Sequence, residues 1–187
     1  APRPAHGSMT TSCANLRHPL DAATVDVLAR LVKVAGPQAV GVLLVGAFAV
    51  AFHSRPRFTN DLDIWVEPTA QNARRVCRAL LAFGAPARHV EAVNLASKGE
   101  ALQIGVAPAR IDLLTDVEPL DFSTCWERRA EGVFLEQSAS YLGGEGLLVC
   151  KRFSNRPKDR LDVRMLEKAR LGTGSKDRRT KKRERKA

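Results

Sequence analysis

The sequence predicts an α/β fold, a sheet flanked by helices, in a single domain. Three observations carry that expectation. The run VGVLLVG (40–46) is continuously apolar and rich in β-branched residues, as a strand buried on both faces requires. DLDIWVE (61–67) alternates polar and apolar residues with the period of a strand. Between and around these lie segments of helical period, DAATVDVLARLVKVA (21–35) and TAQNARRVCRALLAFG (69–84).

Taken in order, the first helix is expected over 21–35, with Val25, Leu28, Leu31 and Val32 on one face, Asp21 as N-cap and Gly36-Pro37 as the stop. The 40–46 strand follows, then a short helix over 47–54 and the 61–67 strand. The 69–84 helix carries Val76, Leu80 and Leu81 at helical spacing and ends at Gly84. Two strands are expected at 101–107 and 109–115, joined by a turn at Pro108. The stretch 122–142 is read as a short helix and one further strand. Two C-terminal helices, beginning near 143, are split at Pro157, a residue suited to the first helical position.

Composition sets the bounds. At 187 residues and 44% hydrophobic content the chain can bury one real core, and a second full domain is not expected. The net charge of +10 is concentrated at the end: residues 175–187 hold eight Lys/Arg against two acids. The segment 171–187 is therefore expected to be a disordered basic tail and 9–170 the folded domain, with APRPAHGS (1–8) a remnant of cloning. Cys13, Cys77, Cys125 and Cys150 show no zinc-ligand spacing and no compact disulfide framework, and read as reduced thiols in a cytoplasmic protein. No apolar run approaches the roughly 18 to 20 residues that span a bilayer, so no membrane partner is expected.

The acids at the head of the 61–67 strand demand a cation. Asp61 and Asp63 leave the same face of a strand, roughly 6 to 7 Å apart, while Leu62 and Ile64 enter the core. Two carboxylates so placed repel unless something positive lies between them. Magnesium, which takes oxygen ligands from one or two carboxylates plus substrate phosphates, is the natural choice. ARIDLLTDV supplies a third acid, Asp112, which interrupts the apolar pattern of Ile111, Leu113 and Leu114. The small pair Gly46-Ala47, between a strand and a helix, lets backbone amides approach a phosphate.

Gly46-Ala47, thirteen intervening residues, Asp61-Leu62-Asp63-Ile64 and a later Asp112 together resemble the signature of the polymerase-beta-type nucleotidyltransferase superfamily. RFTNDLDIWV and CKRFSNRPKDRLDVRMLE are similar to its small bacterial branch, which includes abortive-infection-type toxins. The resemblance runs from residue 40 to about 168. It departs from the family at Ala47, where a second glycine or a serine is usual, so a hydroxyl contact to phosphate is missing while the backbone contact remains.

That resemblance implies a mixed sheet flanked by helices and transfer of a nucleoside monophosphate from an NTP to an acceptor hydroxyl, with release of pyrophosphate. It implies two Mg²⁺ ions held by Asp61, Asp63 and Asp112, the last also handling the acceptor's proton. Nucleotide contacts would come from Gly46, Ala47, Arg57, Thr59 and Lys151, with Asp159 orienting Lys151 or the acceptor. The acceptor could be RNA such as a tRNA end, a protein hydroxyl, or a small molecule such as an aminoglycoside. The basic tail favours RNA. A toxin role implies a cognate antitoxin protein as partner.

Plainer readings stand beside these. Gly46-Ala47 alone is a tight turn, and Arg57 also reads as a solvated cation. Lys151 also fits an exposed helix face, and Arg156, Lys158, Asp159 and Asp162 fit ion pairs across a helix turn. His53 and His89 lack partners at catalytic spacing. Trp65 reads as core, with base stacking as its alternative. A catalytically degenerate member of the fold that only binds RNA or protein is the competing function, and retention of all three aspartates speaks against it.

Overall fold

The computed structural model describes residues 41–55, 59, 61–106, 110–134 and 137–184, with side chains as far as 171. The helix expected over 21–35, the leader 1–8, Arg57 and the Pro108 turn lie outside the described residues.

A six-stranded mixed sheet forms the centre, in the order β3-β4-β2-β1-β6-β5. Its strands are β1 (Val42–Leu44), β2 (Asp61–Val66), β3 (Ala101–Ile104), β4 (Arg110–Leu114), β5 (Ala130–Phe134) and β6 (Gln137–Tyr141). β2 runs antiparallel to β1 and parallel to β4, and β6 runs parallel to β1. The helices are α1 (Gly46–His53), α2 (Ala70–Phe83), α3 (Ala87–Glu91), α4 (Phe122–Glu127), α5 (Gly144–Ser154) and α6 (Pro157–Glu184).

Among the described residues the expected order of elements is realised, with three differences. The 122–142 stretch holds one helix and two strands, β5 and β6, paired as an antiparallel hairpin. A short helix, α3, follows Gly84. The backbone of α6 stays helical to Glu184, so most of the segment expected to be disordered continues an existing helix. Its Lys, Arg and Glu residues are good helix formers, and extending a formed helix escapes the cost of nucleation.

Local chemistry explains how these elements hold the sheet. Thr69 caps α2 by accepting from the Asn72 amide, and Gly84 ends it at φ 104°, a left-handed conformation open to glycine. Asn72 is itself buried and joins α2 to the sheet. Its Nδ2 donates to the carbonyls of Gly41 and Glu67 at 2.8 and 3.1 Å, and its Oδ1 accepts from the Gly41 amide at 2.9 Å. A buried amide with these contacts costs nothing in unpaired polarity and fixes the α2 register.

Trp65 is fully buried and meets Phe122 of α4 edge-on at 5.1 Å, which settles it as core. On the other side of the sheet Phe52 of α1 stacks on Tyr141 of β6 at 4.1 Å. These contacts fix α1 against the sheet, and with it the turn at Gly46. Among the described residues Cys77, Cys125 and Cys150 are free thiols, and no helix is long and apolar enough to cross a membrane.

Candidate active site

The site begins where β1 turns into α1. Gly46 has φ +59°, and a Cβ there would lie 1.8 Å from Asp63 Oδ2. Glycine is thus required twice, for the backbone and to leave room for the carboxylate. Val45, the N-cap of α1, makes no side-chain cap hydrogen bond, and the helix start at Gly46 and Ala47 is suited to meet an anion.

The parallel pairing of β2 and β4 brings the acids together. Asp63 lies opposite Asp112 and Asp61 opposite Arg110. One carboxylate oxygen from each of Asp61, Asp63 and Asp112 falls within 4.8 Å of the others. Thr59 is buried and donates its hydroxyl to Asp61 Oδ1 at 2.5 Å. Its hydroxyl is thereby directed at a carboxylate of the cluster.

Charge is unevenly compensated in this cluster. Arg110 Nη2 stands 2.6 Å from Asp61 Oδ2 and 2.9 Å from Asp112 Oδ2. The Asp63 backbone carbonyl accepts from the Val45 amide at 3.0 Å, while the Asp63 carboxylate has no hydrogen bond or ion pair among the described residues. Burial first, then the charges of Asp61 and Asp112, push its carboxyl up to about 6, against the opposing pull of Lys151 and Lys158. An all-carboxylate, oxygen-only donor set with excess negative charge suits a hard divalent cation, so the residues present fit magnesium.

A second cluster lies where α5 passes into α6. Asn155, at φ 46°, closes α5 in a left-handed turn, and Pro157 opens α6. The reversal folds Asp159 and Asp162 back onto Lys151, whose ammonium is 2.8 and 3.0 Å from their oxygens. All three are buried. Burial acts to raise the Asp159 carboxyl, but hydrogen bonds from Lys151, Ser154 and Arg156 outweigh it and hold the group well below the usual carboxylate range.

One cleft of about 560 Å³ joins the two clusters. Of the residues expected at the site, Gly46, Ala47, Thr59, Asp61, Asp63, Asp112 and Lys151 line it. Asp159 is buried and paired with Lys151, outside the lining. The sequence reading missed Arg110 and Lys158, which also line the cleft. Arg110 had a signal, since it precedes Asp112 by two residues and shares its strand face. From the sequence Lys158 reads only as an ion-pair residue across the helix turn.

No family model and no curated protein matches the chain. Solved structures do. The antibiotic-resistance factor ANT(2'')-Ia in solution superposes with a TM-score of 0.53 at 11% identity, over 90% of this chain and all of its own. The same factor in complex with adenylyl-2''-tobramycin gives 0.54 at 13% identity, over 88% of this chain and 99% of its own. TM1012 of Thermotoga maritima, assigned as a nucleotidyltransferase, gives 0.50 at 13% identity, over 91% and 98%. At such identities the likeness speaks for the fold alone, a mixed sheet flanked by helices that this chain shares with these structures.

Proposed function

We propose that this protein is a magnesium-dependent nucleotidyltransferase that moves a nucleoside monophosphate from an NTP to an acceptor hydroxyl and releases pyrophosphate. The observation that carries the reading is the convergence of Asp61, Asp63 and Asp112 within 4.8 Å, beside the uncapped start of α1. Asp61 and Asp63 would hold one ion and Asp112 help to hold a second; bound there, they supply neutralisation of the triphosphate and of the charge on the attacking and leaving oxygens.

The rest falls to the chain itself. The amides after Gly46 receive a phosphate, and the absence of a side chain there lets it come close. Lys158, exposed at the cleft rim, meets the triphosphate and the charge that grows on departing pyrophosphate. Lys151 adds a positive field from beneath, fixed by Asp159 and Asp162. Asp112 takes the acceptor's hydroxyl proton as that oxygen bonds to the α-phosphorus and the bond to pyrophosphate breaks.

RNA is the proposed acceptor. Its support is a ridge of cations on α6, where Arg160, Arg164 and Lys168 recur at every fourth position and are exposed, leading away from the rim at Lys158 toward the basic end of the chain. An aminoglycoside acceptor is the second reading, favoured by the fold neighbour that holds adenylyl-2''-tobramycin. The toxin role, with a protein antitoxin and a cytoplasmic site of action, follows the RNA reading.

The test is incubation with each α-³²P-labelled NTP, Mg²⁺ and either total RNA or aminoglycosides. Label should enter RNA with the wild type and not with Asp63→Ala, and expression of the wild type alone should arrest growth. Label on the aminoglycoside would replace the RNA acceptor, and no transfer to any acceptor would favour the degenerate binding module.

A further inference from the structure

Arg110 occupies the place where the proposed function puts a metal. On β4 it precedes Asp112 by two residues, so both side chains leave the same face, and the register sets it beside Asp61. One nitrogen, Nη2, serves both Asp61 and Asp112, at 2.6 and 2.9 Å. Its Nε is buried and has no hydrogen-bond partner among the described residues. A guanidinium has a fork of five donors suited to matched, bidentate recognition. Here one nitrogen answers two carboxylates while a second is buried unpaired, which marks a side chain held by charge more than by fitted geometry.

The neighbourhood offers it another position. Arg110 lines the 560 Å³ cleft along with Lys158 and Gly46, and about a third of its side chain is exposed. A divalent ion drawing on the same Asp61 and Asp112 oxygens would stand within a few ångströms of the guanidinium and repel it. The triphosphate, entering the same cleft, offers phosphate oxygens that match the guanidinium fork.

We infer that Arg110 is an internal counter-cation of the carboxylate cluster, which competes with a divalent metal for Asp61 and Asp112 and, once displaced, turns onto the nucleotide's phosphates. This rests on the nucleotidyltransferase reading and assigns a residue that the reading does not itself use. With Arg110 in place Asp61 and Asp112 are kept from splaying apart. With metal and nucleotide present the same charge joins the phosphate contacts, so entry of metal and nucleotide is coupled.

The experiment is Mn²⁺ binding to the full-length protein without nucleotide, followed by the loss of the free-ion electron paramagnetic resonance signal, for wild type, Arg110→Met and Arg110→Lys. Arg110→Met should bind Mn²⁺ about tenfold more tightly, with Arg110→Lys between the two because it keeps the charge and loses the fork. At saturating Mn²⁺, binding of a non-hydrolysable NTP analogue should weaken about tenfold in Arg110→Met and be partly restored in Arg110→Lys. Circular dichroism reports folding, and if Arg110→Met fails to fold, Arg110→Lys carries the same test with a smaller gain. Equal or weaker Mn²⁺ binding in the variants than in a wild type that does bind would overturn the competition and leave the transferase reading standing. Unchanged analogue affinity would overturn the relocation onto phosphate. Absence of Mn²⁺ binding in all three proteins would overturn both this inference and the reading beneath it.

Discussion

The two charged clusters that face each other across the cleft are built on opposite principles. On α5 and α6, Lys151 and Arg156 answer Asp159 and Asp162, so that two cations meet two acids, and the acids and Lys151 are buried. On β2 and β4 Arg110 pairs with Asp61 and Asp112, and Asp63 is left outside that pairing with its carboxyl raised to about 6. A balanced buried cluster specifies a geometry. An unbalanced one, partly open to solvent, is a place where a further cation is stabilised. The helical cluster is therefore framework, and the sheet cluster is where chemistry is expected.

The largest difference should appear in turnover. Asp63→Asn should lower NMP transfer by roughly 10³-fold or more, since it removes a ligand of the ion on which transition-state charge depends. Gly46→Ala should act in the same direction, because its Cβ would strike Asp63 Oδ2. Labelled-nucleotide kinetics on the purified, folded variants measures both, and wild-type rates in either would remove the sheet cluster from the chemistry.

Lys151→Ala should fail by another route. It removes the ammonium that both buried acids, Asp159 and Asp162, contact, a loss of about 3–5 kcal/mol of stability. Urea unfolding should show it as a shifted midpoint at unchanged slope. A Lys151→Ala protein as stable as the wild type but slow in turnover would instead make this lysine a direct phosphate contact.

Asp63 and Asp61 separate in the absence of metal. The Asp63 carboxyl titrates higher folded than unfolded, so between about pH 4 and 6 the native state binds the extra proton, and stability falls as pH rises through that window. Asp63→Asn removes this penalty and should stabilise the metal-free protein by at most about 3 kcal/mol at pH 7, with no gain below pH 4. Asp61→Asn should bring no such gain, because it gives up the Arg110 pair and the Thr59 hydrogen bond. Equal stabilisation by both would mean that Arg110 does not distinguish them. The smallest effect belongs to Arg152→Ala, which breaks an exposed pair with Glu167 and should change stability by no more than about 0.5 kcal/mol.

The sheet cluster was legible in the sequence because strand period alone places Asp61 and Asp63 on one face, and an acid inside Ile111–Leu113 stands out against apolar neighbours. The same period sets Arg110 on the face of Asp112, and only the β2–β4 register carries it on to Asp61. The helical cluster was half legible. Lys151 and Asp159 were both singled out, but only the left-handed turn at Asn155 turns a separation of eight residues into a 2.8 Å ion pair. The β5–β6 hairpin was missed because its strands, AEGVF and QSASY, are short and polar on one face, and their burial comes from packing on α1.

The contrast between an open acidic cluster and a closed helical one is tested most directly by stabilisation on metal binding. Melting temperatures of wild type, Asp63→Asn and Arg152→Ala would be recorded with and without Mg²⁺ and a non-hydrolysable NTP analogue. The account predicts that Mg²⁺ with the analogue raises the melting temperature of wild type and Arg152→Ala alike and leaves that of Asp63→Asn unmoved. An equal rise in Asp63→Asn would contradict it, since nucleotide and metal would then be held without the acid on which the site is built.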